Sequence, residues 1–243
     1  GGVVEAKTRA PGPDFFGELS YRTTHSAWTE FHTDGSIEED FEDSNQARFQ
    51  PEFKKQLGGL LLNIPLTDQL SLLTSYQLTY SDIPLQHLGD SKSQTRKNEN
   101  FLLKLAWEID SLSELEATLQ YSPYEGDYFY RDSKDSDFTI EGGGHVASLA
   151  YTRSLSFGEF ELTGAWKASE SNRDAPTDLR AWLVSPEKPW GEDAGNTTYS
   201  YEGSVGSLET SQEGLEVNLG VSDVLIENGS VTHQIAAGVE FEH

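Results

Sequence analysis

Residues 70–81 read Leu-Ser-Leu-Leu-Thr-Ser-Tyr-Gln-Leu-Thr-Tyr-Ser. Leu70, Leu72, Thr74, Tyr76, Leu78 and Tyr80 share one parity; Ser71, Leu73, Ser75, Gln77, Thr79 and Ser81 share the other. Five of the first six are apolar or aromatic, against one of the second six. Strand side chains alternate between faces, so the stretch predicts a strand with one oily and one wet face. A helix would scatter the same apolar residues around its axis. The stretch is also long, since soluble strands usually run about five or six residues and about 9–11 tilted residues cross a bilayer.

The pattern repeats in both directions. Upstream, Phe16 to about Phe31 is a strand candidate with Leu19, Tyr21 and Thr23 opposing Glu18, Ser20 and Arg22. Trp28 and Phe31 fall on opposite parities, which predicts a bulge near Ser26. A second strand is expected from about Phe53 to Pro65, with Leu60, Leu62 and Ile64 on one face. Downstream, Phe101, Leu103, Leu105, Trp107 and Ile109 alternate with polar residues. So do Leu115, Ala117, Leu119 and Tyr121, until Pro123 is expected to end that strand. Ala147, Leu149 and Tyr151 follow, then Phe160, Leu162, Gly164 and Trp166. Leu215 to Val221 and Ile235 to Phe241 complete about nine strands, with no helix.

The expected connections alternate in length. Short turns fall at 66–69, 110–113, 154–158 and about 223–230, and long polar loops at 33–50, 82–97, 122–143 and 169–211. In an up-and-down meander all the short turns lie at one end. Bacterial outer-membrane barrels have this asymmetry, with short periplasmic turns and long outer loops. Tyr76, Tyr80, Trp107, Tyr121, Tyr151 and Trp166 sit on the oily parity toward strand ends, as a lipid-facing aromatic girdle would. The expected fold is therefore all-β: an antiparallel up-and-down meander of about nine long strands, part of a large transmembrane β-barrel. A soluble sandwich fits each strand taken alone, but not the alternation of connections.

Composition narrows the function. Lys and Arg number 17 against 41 Asp and Glu, a net charge of −24, which disfavours nucleic acid as a partner. The 27 aromatic residues (10 Tyr, 12 Phe, 5 Trp) argue against disorder. There is no Cys, hence no disulfide framework and no thiolate metal site. No apolar run approaches a transmembrane helix, a test that alternating strands escape. Met is absent, even from position 1, and the chain is expected to be a piece of a longer protein.

Gly1-Gly2-Val3-Val4-Glu5-Ala6-Lys7-Thr8-Arg9, the break Ala10-Pro11-Gly12-Pro13-Asp14 and the repeating long strands after it resemble the TonB-dependent receptors of the Gram-negative outer membrane. The passage Tyr121-Ser122-Pro123-Tyr124-Glu125-Gly126-Asp127 is similar to a strand-to-loop passage of that family. The resemblance implies that residues 1–10 are the tail of a plug domain and 11–243 the N-terminal part of a barrel of about 22 strands. It implies residence in the outer membrane, with lipid, the TonB system and a small-molecule ligand as partners. It also implies uptake of a scarce nutrient such as an iron-siderophore complex. A passive porin-like channel and a soluble β-sandwich binding module are the alternatives.

Candidate sites are few. Asp132, Asp135 and Asp137 form a carboxylate cluster of the kind that holds Ca²⁺, but the expected Gly and terminal Glu are missing and a solvated loop is favoured. Glu38–Asp43 reads as an acidic solubilising loop or a cation-binding one. The six His residues show no metal-ligand spacing, so no metal and no cofactor are expected. Asn196 and Asn228 open glycosylation patterns that an outer-membrane reading makes irrelevant. No catalytic constellation stands out, and an enzyme is not expected. Trp182 and Trp190, within the longest loop, are candidates for stacking on a ligand or for pinning the loop to itself.

Overall fold

The computed structural model describes residues 8–32, 35, 41, 51–228 and 231–243. Nine strands form one antiparallel sheet: β1 (Phe16–His25), β2 (Lys54–Pro65), β3 (Leu70–His87), β4 (Asp90–Asp110), β5 (Ser113–Tyr128), β7 (Phe138–Leu155), β8 (Gly158–Asp174), β11 (Leu208–Asn228) and β12 (Val231–Glu242). They lie side by side in chain order, so the sheet is a meander and not two packed layers. β6 (Ser133–Lys134), β9 (Asp178–Leu183) and β10 (Tyr199–Val205) make a separate small sheet in the order β6-β10-β9.

The register turns the parity seen in residues 70–81 into a surface. One row of Cα partners runs Leu60–Tyr76–Phe101–Tyr121, and the next runs Leu62–Thr74–Leu103–Leu119–Ala147–Trp166–Leu215. Below them come Leu72–Leu105–Ala117–Leu149 and then Leu70–Trp107–Leu115–Tyr151–Leu162–Leu219. The opposite face carries Asn63–Leu73–Lys104–Thr118–Ser148–Ala165–Glu216. The apolar face is largely exposed: Leu119, Leu149 and Leu219 are 50%, 49% and 45% accessible. The most buried residues of the band, Asn63 and Leu73, lie on the polar face.

Five expectations need correction. Residues 82–97 are not a loop: β3 and β4 stay paired out to His87 and Asp90, and only Leu88 and Gly89 turn. Their φ values of 49° and 85° suit a two-residue hairpin turn, and Gly takes the second at no steric cost. Residues 122–143 are mostly strand, because β5 continues through Pro123 to Tyr128. Residues 169–211 hold β9, β10 and a one-turn helix, α1 (Trp190–Asp193). These stretches look like loops because no single apolar parity runs through them: Ser91–Thr95 is polar on both faces and the apolar residues of 82–87 change parity, yet ladder hydrogen bonds ignore side-chain polarity. The first strand ends at His25 in a 3-10 turn, Ser26–Trp28, whose N-cap is the His25 ring accepting from Ala27 N–H at 3.0 Å. At 223 the chain does not turn: Asp223, at φ 55°, sits in an irregularity between Val221 and Val224 within β11. Gly1–Lys7 and most of 33–50 lie outside the described residues.

Candidate functional site

The short turns between β2 and β3, β4 and β5, and β7 and β8 close one end of the sheet. At the other end the strands outrun the apolar band, and there the polarity of β3 inverts. Up to Tyr80 its apolar side chains share the parity of Tyr76; beyond Ser81 they are Ile83 and Leu85, of the opposite parity. Ile83, Leu85 and Phe129 form a small buried core with Phe53 against it. The end opposite the short turns is thus built like a water-soluble protein, with its core on the polar face of the sheet.

The aromatic residues of the expected girdle all lie on the apolar face. Tyr76 and Tyr121 share a row, Tyr80 lies beyond them and Trp166 one step below. Two of the polar tips lie on carboxylates. The Tyr76 hydroxyl donates to Glu99, and Trp166 Nε1–H donates to Glu213 at 2.7 Å. Above them the face turns charged, with Tyr80 beside Lys97, Lys97 beside Glu125 and Glu125 beside Glu141. Near the short turns stand Trp107 and Tyr151, and Arg153 Nη1–H donates to Ser113 at 2.8 Å. Asp110, the last residue of β4 at the short turn, is held below the usual carboxylate range, chiefly by the Leu112 N–H that donates to it at 2.8 Å. The last apolar residue drifts toward the short turns, from Tyr80 on β3 to Trp166 on β8 and Leu215 on β11. Strands tilted against a level band produce this stagger.

On the polar face the chain entering β1 is clamped. Asn63, fully buried, accepts from Gly12 N–H at 2.9 Å and donates to Gly12 O at 2.8 Å and Asp14 O at 2.6 Å. Two strands along the same row, Lys104 is nearly buried and pairs with Glu116 at 2.7 Å. Asn63 is the sequence signal that reading by parity passed over: a single amide within Leu60–Ile64.

Beyond the band, β6, β9, β10 and α1 form a lobe. Ser133 Oγ–H donates to Gly203 O at 2.8 Å, and Gly203 adopts φ 88° where any Cβ would strike Asp178 O. Trp182 and Trp190 meet here around Lys188, and Lys134 Nζ lies 4.8 Å from the Trp190 ring centroid. Lys188 Nζ lies 3.9 Å from the Trp182 ring centroid, 5.1 Å from that of Trp190 and 3.3 Å from Glu202. Trp182 Nε1–H donates to Glu202 at 3.0 Å and Trp190 Nε1–H to Tyr201 O at 2.7 Å. Both rings therefore pin the lobe to itself, and both remain half exposed. The acidic run 132–137 is divided: Asp132 pairs with Arg131 at 3.0 Å and Asp137 with Lys92 at 2.6 Å. Among the described residues no three His, Asp or Glu gather as a metal site. Between the lobe and the polar face lies a cavity of about 630 Å³, lined by Arg96, Tyr128, Phe129, Phe138 and Tyr201 among others. Sequence reading missed it, because its walls come from segments read as separate loops.

No family model matches the chain. In sequence it is similar to the Escherichia coli (strain K12) protein described as uncharacterized protein YddB: 23% identical over 251 residues, 99% of this chain and 31% of that relative. In structure it is similar to the outer membrane transporter YddB from Escherichia coli, with a TM-score of 0.79 and 18% identity, over 93% of this chain and 30% of that one. The chain spans about a third of the length of the relative it matches. Its nine-stranded antiparallel meander has the fold of one section of an outer-membrane β-barrel transporter.

Proposed function

We propose that the chain is part of the wall of an outer-membrane barrel that carries solutes inward. The apolar band supports this reading most directly. From Leu70 to Tyr80, strand rise and a tilt of roughly 40° give a height of about 25 Å, that of the lipid-facing band of such barrels. The apolar face meets lipid. Tyr76, Tyr80, Tyr121 and Trp166 mark its outer border, and Trp107 and Tyr151 its inner one. Amphipathic rings with their polar tips on charged partners suit that interface. The polar face lines the lumen, and the lobe stands outside the cell.

Residues 1–10 are the tail of a plug and 11–243 the first part of the barrel. The protein imports a scarce small molecule, foremost an iron-siderophore complex, driven by the TonB system, with Trp182 and Trp190 on the lobe contacting it. No residue of the chain performs chemistry. Uptake of a labelled ferric siderophore by cells with and without the full-length protein tests this reading. Uptake should need the protein and stop when the inner-membrane proton gradient is collapsed. Uptake that survives the collapse indicates a passive channel, and recovery of the protein in the soluble fraction overturns both.

A further inference from the structure

The cavity under the lobe holds a cation without a carboxylate partner. Arg96 projects from β4 on the polar face, opposite Ser81 and Gly126. Its Nε is buried and makes no hydrogen bond, and no ion pair joins Arg96 to a carboxylate among the described residues. In a chain with 41 acidic residues against 17 basic ones, a carboxylate partner would be easy to supply. The neighbouring cations show the contrast: Lys92 pairs with Asp137, Lys97 with Glu99 and Arg131 with Asp132.

Rings make most of the wall around Arg96, and the one acid that lines the cavity, Asp132, is paired with Arg131. Its guanidinium carbon lies 5.4 Å from the Tyr128 ring centroid, and Tyr128 stacks on Phe138 with centroids 5.4 Å apart and planes 18° apart. Tyr130 packs on the same Phe138 at 5.4 Å. Leu179 and Tyr201 from the lobe close the far side. A buried guanidinium nitrogen lacking an acceptor carries a desolvation cost, and an anion in the cavity would offer the guanidinium the charge-assisted acceptor that no carboxylate of the chain supplies. Guanidinium is also the side chain best suited to a bidentate carboxylate. Flat aromatic walls favour a flat unsaturated body, and the volume of about 630 Å³ falls within the range of small-molecule sites.

We propose that this cavity is a binding site for a small organic anion with a flat unsaturated body, its anionic group on Arg96. The site rests on the reading of the polar face as lumen and adds to it a ligand class and a residue. The lobe is then one wall of the site, and solute entering from outside meets Arg96 before the polar face of the band below.

The test uses the full-length protein purified in detergent, with two probes of matched shape: 2-naphthoate, and its neutral counterpart 2-naphthylmethanol. Calorimetric titration of the wild type should show naphthoate binding at least tenfold more tightly than the alcohol. Arg96→Gln should remove that preference while leaving the alcohol's affinity and the thermal unfolding midpoint unchanged. Arg96→Lys, which keeps the charge but not the fork, should restore part of it. Equal binding of the two probes, a preference that survives Arg96→Gln, or no binding of naphthoate overturns the proposal. None of these outcomes bears on transport: siderophore uptake that needs the protein leaves the import reading standing even if naphthoate does not bind. Loss of such uptake, with naphthoate still held by Arg96, overturns import alone.

Discussion

Two single residues carry more than their parity suggests. Asn63 satisfies both of its amide groups on the backbone of Gly12 and Asp14, in full burial. Asn63→Ala leaves one N–H and two carbonyls of the 12–14 segment short of partners, at a cost of about 1–3 kcal/mol. Limited proteolysis of the detergent-solubilised protein should cut near Pro11–Asp14 faster in the variant, with the barrel strands still protected. His87 ends β3 with its ring against Phe129, centroids 5.0 Å apart, and with Nδ1–H donating to Arg131 O at 3.2 Å. Burial first and the charge of Lys92 second hold this imidazole below its ordinary value of 6.5. Above pH 6.5 the ring is neutral whether the hairpin tip is docked or free, and docking is at full strength. As pH falls through 6.5 the free tip takes up a proton that the docked one refuses, so docking weakens. Exchange of the Leu88 amide, which donates to Arg131 O, should accelerate below pH 6.5 beyond its intrinsic rate. The same amide in His87→Gln should show no such step. Neither role is written in the sequence, because each depends on a partner far along the chain.

At the scale of elements, alternation was legible wherever one face of a strand is oily and one wet. Leu70–Ser81, Phe101–Ile109 and Leu115–Tyr121 are strands as their parity requires. It was illegible where both faces are wet. Ser91-Lys92-Ser93-Gln94-Thr95 has no oily parity to read, yet it continues the ladder of β3 and β4 beyond the band. The girdle residues were legible as one parity. The cavity was not, since Arg96 belongs to a stretch read as loop and Leu179 and Tyr201 to another. The two faces should respond differently to charge. Leu103→Arg, at mid-band on the apolar face, should cost about 2–4 kcal/mol and lower the yield of folded barrel on a heat-modifiability gel. Gln120→Arg, one residue beyond Leu119 on the polar face, should leave both unchanged within about 0.5 kcal/mol.

The whole sheet is open. Among the described residues no strand neighbours the outer edges of β1 and β12, so each offers a row of unpaired N–H and C=O groups. Nothing in lipid can satisfy such groups, and a membrane sheet must close. The 243-residue chain expressed alone should therefore not form a monodisperse species in plain buffer. Sedimentation should show aggregates, and a cooperatively unfolding monomer would contradict the assignment of the apolar face to lipid. The large exposed area of Leu, Tyr and Trp on that face works in the same direction.

The inversion along β3 also fixes the height of the molecule. Below Ser81 the strand is comfortable only with hydrocarbon on the Tyr76 side; above it, only with hydrocarbon absent. Sinking by one residue pair would draw Asp82 and Lys97 toward the acyl chains, and rising by one would lift Leu70 and Trp107 out of them. One strand thus serves as a plumb line, and its hairpin holds the lobe and the Arg96 cavity at a set distance above the membrane plane. On the import reading, a solute arriving from outside would meet the opening at that altitude.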